Sequence, residues 1–230
     1  ILFAAGTSRV RNAPPEHDTL RATFVQPAIP QTMIWDMSEN TNRFNQLIEL
    51  TTRALTNETD LLLWPEAALP EFNEASFAVI TNLIQTHQVW MLFGADDVVE
   101  KLNPTPGDRY DSYNAAFLFR PDGSFAGNYR KRHLVMFGEY IPLVDALPFI
   151  KWFTPITGGF TPGNRVTRFE LERRPPARLD TNTPPERAEP ALGAPRRIKT
   201  ATLICFEDTF PHLAREYVDD DTDFLVNLTN

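Results

Sequence analysis

Two hundred and thirty residues, 42% hydrophobic and 23% charged, are enough to bury a full core, which excludes a chain disordered throughout. A net charge of −8 leaves no basic face to displace counterions, so nucleic acid is not an expected partner. The single cysteine excludes an internal disulfide framework and a multi-cysteine zinc site, and His17, His87, His133 and His212 lack metal-ligand spacing.

Along the chain, residues 1–19 form a polar lead after Ile1-Leu2-Phe3-Ala4-Ala5. That opening, without an initiator Met, reads either as a frayed terminus or as the last turn of a membrane helix. No stretch in the chain itself reaches the roughly 20 apolar residues of a membrane span. Residues 21–26 predict a first strand, stopped by Pro27 and Pro30. A helix to about Leu55 follows, capped by Asp36 or Ser38, with Phe44, Leu47, Ile48 and Leu55 on one face. Leu61-Leu62-Leu63-Trp64 is a short apolar run of the kind buried on both faces, and Pro65 ends it. Residues 73–87 predict a second helix with Phe77, Ile80 and Ile84 inward, and residues 89–93 another buried strand closed by Gly94. This β-α-β-α-β order is that of a layered α/β sheet.

Residues 113–120 and 124–129 flank Pro121-Asp122-Gly123 as a hairpin, and a long loop covers 130–163. A strand is expected at 166–171. Residues 172–197 carry six prolines and almost no large apolar side chains, which predicts an extended surface insertion. A strand at 198–205, a helix at about 209–218 and a strand at 223–228 complete the order. The last strand stops almost at Asn230, so both ends read as cuts through a longer chain.

Three residues could carry chemistry. Cys205 ends a buried strand just before a helix, a corner that lifts a side chain to the carboxyl edge of a sheet and favours a thiolate. Taken alone it is more often an inert buried cysteine. Glu66 ends the 61–64 strand and is either a surface charge or a general base at the same edge. Lys131 lies in a basic run, Tyr129-Arg130-Lys131-Arg132-His133, that passes directly into Leu134-Val135-Met136-Phe137-Gly138-Glu139-Tyr140. Such runs are usually solvated; this one leads into an apolar segment expected to pack over something.

Together these words resemble a family. Trp64-Pro65-Glu66-Ala67-Ala68-Leu69-Pro70, Lys131-Arg132-His133-Leu134-Val135 leading to Phe137-Gly138-Glu139-Tyr140-Ile141-Pro142, and Ile204-Cys205-Phe206-Glu207 stand in the order of the Glu-Lys-Cys triad of the nitrilase superfamily. Their flanks, with Ile29-Pro30-Gln31 before Trp35, are similar to the apolipoprotein N-acyltransferases. The resemblance covers about residues 19–230.

The resemblance implies a four-layer α-β-β-α sandwich over residues 20–230, with its C-terminal part missing from this chain and with residues 1–19 following a membrane helix. It implies a nucleophile at Cys205, a base at Glu66 and an oxyanion partner at Lys131, helped by the backbone N–H of Phe206. Glu139 would orient Lys131, while Glu207 and Trp35 would shape the pocket. The implied reaction passes a fatty acyl chain from phospholipid, through a cysteine thioester, to the α-amino group of a lipoprotein's diacylglyceryl-cysteine. No cofactor or metal is implied, and the expected location is the outer face of the bacterial inner membrane. The alternative is a soluble amidase or carbamoylase using the same three residues on C–N bonds. Met136 stands where the family usually has Pro, and Phe206 where Tyr is common.

Overall fold

The computed structural model describes residues 19–30, 37–69, 72–106, 108–142, 159–172 and 197–230. Residues 1–18 of the polar lead, Trp35 and residues 173–196 of the Pro-rich insertion lie outside the described residues.

The first sheet runs β1 (Ala22–Phe24), β2 (Leu61–Leu63), β3 (Trp90–Thr105), β4 (Asp108–Phe119) and β5 (Phe125–Arg130), neighbours in that order. β1, β2 and β3 are parallel, joined through α1 (Asn40–Ala54) and α2 (Glu74–His87), whereas β3, β4 and β5 form antiparallel hairpins. The second sheet comprises β6 (Arg168–Glu172), β7 (Arg197–Ile204) and β8 (Phe224–Leu228), with β7 and β8 parallel and α3 (Pro211–Tyr217) between them in sequence.

The period-2 alternation of a strand explains the layers. Leu61, Leu63, Trp90, Leu92, Ala116 and Leu118 face the second sheet and pack with Phe169, Leu171, Ile198, Leu203, Val226 and Leu228. Their neighbours Leu62, Trp64, Met91, Phe93, Ala115, Phe117 and Phe119 face the other way, against Leu47, Ile80 and Ile84 of the helices. Leu213 and Tyr217 bring α3 onto the second sheet's cluster. Two faces each made of Leu- and Phe-sized side chains, worth roughly 1.5–3 kcal/mol apiece when fully buried, account for the continuous apolar runs in β2 and β3. The result is the expected α-β-β-α layering.

Two local expectations are corrected. Gly94 does not close its strand: β3 continues to Thr105, paired with β4 through Glu100 opposite Tyr110. Glycine stands there because the Pro65–Glu66 backbone lies directly against it. Phe77 of α2 is 41% exposed rather than inward, resting its ring on Phe119 and Phe72 near the surface, while Ile80, Leu83 and Ile84 form the buried stripe. The start of α2 is held by Asn73, whose Oδ1 accepts the Ser76 N–H at 3.0 Å while Ser76 Oγ accepts the Asn73 N–H.

Candidate active site

The parallel strands β2 and β7 end at Leu63 and Ile204, and Glu66 and Cys205 follow within three residues. Lys131 follows β5 directly. Its side chain is 1% exposed, and its Nζ donates to Glu66 Oε1 at 3.2 Å and to Glu139 Oε1 at 2.8 Å. An ammonium taken so far out of water needs such partners, because its desolvation cost is otherwise uncompensated. Burial alone would lower the Lys131 pKa; the two carboxylates outweigh it and raise the value above that of an ordinary lysine. Lys131 is a fixed cation at neutral pH.

Asn114, on β4, completes the cluster. Its Nδ2 donates to Glu66 Oε1 and to Glu139 Oε1, each at 2.8 Å, and its backbone carbonyl accepts the backbone N–H of Lys131 at 2.8 Å. One amide thus holds two carboxylates toward one ammonium. Glu139 is anchored by its other oxygen, which accepts the Val135 N–H at 2.8 Å across the turn that follows Lys131. Gly163 donates its N–H to the Lys131 carbonyl, and a Cβ on it would lie 2.2 Å from the Arg130 carbonyl oxygen. Gly94 plays the same part for Glu66. A Cβ there would stand 2.7 Å from the Glu66 Cα and the Pro65 carbonyl oxygen, so the turn carrying Glu66 lies directly on β3.

Cys205 is half-buried and adopts φ +52°, the left-handed region that costs a non-glycine residue about 1–3 kcal/mol. The turn is secured from both sides. Asn227 Nδ2 donates to the Cys205 carbonyl at 3.2 Å, and the Ile204 N–H donates to Glu207 Oε2 at 2.9 Å. Burial pushes the Cys205 thiol up, and the facing Glu66 carboxylate adds to the rise; a hydrogen bond from Thr229 and the charge of Lys131 pull it down. The thiol thus lies within electrostatic reach of the Glu66 carboxylate and the Lys131 ammonium, which act on its proton in opposite directions.

Among the residues singled out from sequence, Glu66, Lys131, Glu139 and Cys205 meet here, and Phe206, 47% exposed, flanks the thiol. Glu207 is fully buried and its carboxylate is taken up by backbone N–H groups and Tyr129, so it does not line an opening. The sequence reading gives Asn114, Thr229 and Gly163 no part in the site, and takes Gly94 only as the end of a strand. An asparagine in a strand and a threonine after one carry no local signal, although Gly94 inside an apolar run is the usual mark of close backbone approach. Among the described residues there is no group of three metal-ligating side chains, and no helix is long and apolar enough to cross a membrane.

The sequence profile of the carbon-nitrogen hydrolases matches residues 21–230. The apolipoprotein N-acyltransferase of Geobacter metallireducens is 30% identical over 234 residues, covering 100% of this chain and 39% of that protein. That of Rickettsia prowazekii is 26% identical over 239 residues, covering 100% of this chain and 40% of that protein. The chain thus spans about two fifths of the length of these curated relatives. Among solved structures, a carbon-nitrogen hydrolase from Helicobacter pylori G27 shares 19% identity with a TM-score of 0.50, over 91% of this chain and 59% of that one. A nitrilase-superfamily amidase from Nesterenkonia AN1 shares 13% with a TM-score of 0.52, over 95% and 68%. These last two likenesses concern the fold alone. The profile match over nearly the whole length, on a sandwich of this architecture, means that the chain belongs to the carbon-nitrogen hydrolase family.

Proposed function

We propose that residues 20–230 are the acyl-transferring domain of an apolipoprotein N-acyltransferase, with residues 172–197 a surface insertion and residues 1–19 the lead from a membrane helix. The observation that carries this reading is the Cys205 thiol facing Glu66 and Lys131, in a chain aligned end to end with relatives of that name. Cys205 Sγ attacks the ester carbonyl of a phospholipid acyl chain, and its proton passes to Glu66. The tetrahedral oxyanion is met by Lys131 and the Phe206 N–H. Collapse breaks the C–O bond, the lysophospholipid leaves with the proton from Glu66, and an acyl-thioester remains. The α-amino group of a diacylglyceryl-cysteine then attacks that thioester. Glu66 takes its proton, the C–S bond breaks and the thiol is restored.

Glu139 and Asn114 keep Lys131 and Glu66 in register throughout. Two bulky lipids need not occupy the site together, which suits this two-step route. The substrates place the domain at the outer face of the bacterial inner membrane, and no cofactor enters the chemistry. The amidase alternative is less supported: the family profile and the fold likeness are compatible with it, but the relatives aligned over the whole chain carry the acyltransferase name. The test uses the full-length protein. Incubation with phospholipid should add one acyl group to Cys205, read by mass spectrometry; Cys205→Ala and Cys205→Ser should abolish lipopeptide N-acylation, and Glu66→Gln should block thioester formation. An adduct elsewhere, or full transfer by Cys205→Ala, would end the assignment.

A further inference from the structure

Lys131 and Cys205 belong to different sheets. β5 delivers the lysine from the first sheet and β7 the cysteine from the second, and no strand pairing joins those sheets among the described residues. Something else must set the separation of ammonium and thiol, and the Glu207 carboxylate spans that gap. Its Oε1 accepts the N–H groups of Arg132 at 2.8 Å and His133 at 3.0 Å, the residues next to Lys131. Its Oε2 accepts the N–H of Ile204 at 2.9 Å, the residue before Cys205.

Tyr129 locks this carboxylate in place. Two residues before Lys131, it is fully buried, and its hydroxyl stands 2.8 Å from both Glu207 oxygens and 2.7 Å from the Tyr217 hydroxyl. A phenol has one proton, so Tyr129 donates it to Glu207 and accepts from Tyr217. Each arm of the bridge is a charge-assisted hydrogen bond shielded from water, the stronger and more rigid kind.

We propose that Tyr129 and Glu207 form a buried strut that sets the separation of the Lys131 ammonium from the Cys205 thiol. Tyr129 is then a positioning residue, touching neither acyl donor nor acceptor; its kinetic consequence rests on the acyl-transfer reading above. Without its hydroxyl the carboxylate loses one of its donors and the two segments drift apart, weakening the hold of Lys131 on the thiolate and on the oxyanion.

The test compares full-length wild type with Tyr129→Phe, which removes one hydroxyl and keeps the ring. The pH dependence of Cys205 alkylation by iodoacetamide needs no lipid; its midpoint should shift by about half a unit or more as the thiol moves relative to Lys131 and Glu66. Acylation by phospholipid should slow by about tenfold or more, with half-saturation changed by less than about twofold, since binding groups are untouched. Glu207→Gln turns an N–H₂ toward backbone donors and should move both readings further in the same directions, which keeps the question answerable if Tyr129→Phe folds poorly. Ile80→Ala, in the other core cluster, controls for lost stability: it should lower the melting temperature and leave both readings in place. An alkylation midpoint unmoved in Tyr129→Phe and Glu207→Gln would overturn the strut. A midpoint that moves while no protein, wild type included, takes an acyl group from phospholipid would leave the strut standing and remove the acyl-transfer reading.

Discussion

Opposed influences meet at Cys205. Burial and Glu66 hold the proton on sulfur, while Thr229 and Lys131 favour its release. Each influence can be removed with a predictable sign. Glu66→Gln deletes a raising cause, so the midpoint of Cys205 alkylation against pH should move down, even though the same change blocks acylation. Lys131→Met deletes a lowering cause, and the midpoint should move up. Shifts of the same sign in both variants would show that the thiol does not sit between them. Lys131→Met should also cost about 3–5 kcal/mol in urea titrations, because Glu66 and Glu139 lose the cation they are buried against. The Lys131 contribution is full below the unfolded value of 10.5 and is lost as pH climbs through its higher folded value, so this cost should be constant across neutral pH.

Asn114 is the counterpart on the carboxylate side. Asn114→Asp would set a third acid between Glu66 and Glu139 and should slow acylation by roughly 100-fold or more, further than Asn114→Ala, in single-turnover measurements. Glu66 and Cys205 are visible in the sequence because each follows a short apolar strand, and Lys131 and Glu139 through the motif words that surround them. Asn114 is silent there: its importance comes from facing residues 48 and 25 positions away, a relation that only the β3–β4–β5 register creates.

At the scale of elements, the buried strands were readable to within a residue or two because their apolar runs have no other stable use. The length of β3 was not, since Asp96 to Thr105 is largely exposed and polar and is held as strand by pairing with β4 rather than by its own composition. Gly94 shows how one residue supports opposite readings. In sequence it ends an apolar run; in space it lets the Pro65–Glu66 backbone lie on β3, with the Gly94 N–H donating to the Pro65 carbonyl at 3.2 Å and the Ala68 N–H donating to the Gly94 carbonyl at 3.1 Å. The atoms that an added Cβ would meet are all backbone and cannot rotate aside. Gly94→Ala should therefore destabilise by about 1–3 kcal/mol and move Glu66 with the displaced turn, slowing acylation more than the stability loss explains. A variant with normal transfer and normal melting would show that this contact is not what seats Glu66.

On the scale of the whole molecule, the site is built from both sheets, and this determines which core matters to it. Glu66, Asn114 and Lys131 come from the first sheet and Cys205 from the second, so their alignment depends on the cluster between the sheets, where Leu61, Leu63, Leu92 and Leu118 meet Leu203, Val226 and Leu228. The cluster between the first sheet and its helices stabilises the same fold without touching that alignment. Two truncations of similar size separate the roles. Leu203→Ala, two residues before Cys205, and Ile84→Ala, on α2, should each cost about 2–5 kcal/mol in urea unfolding at constant slope, as fully buried aliphatic side chains do. Under conditions where both remain folded, Leu203→Ala alone should change the rate of Cys205 alkylation and of acylation, by several-fold, because only its cavity lies where the sheets must keep their separation. Equal effects of the two truncations on alkylation would mean that the thiol reports overall stability rather than the fit of one sheet on the other.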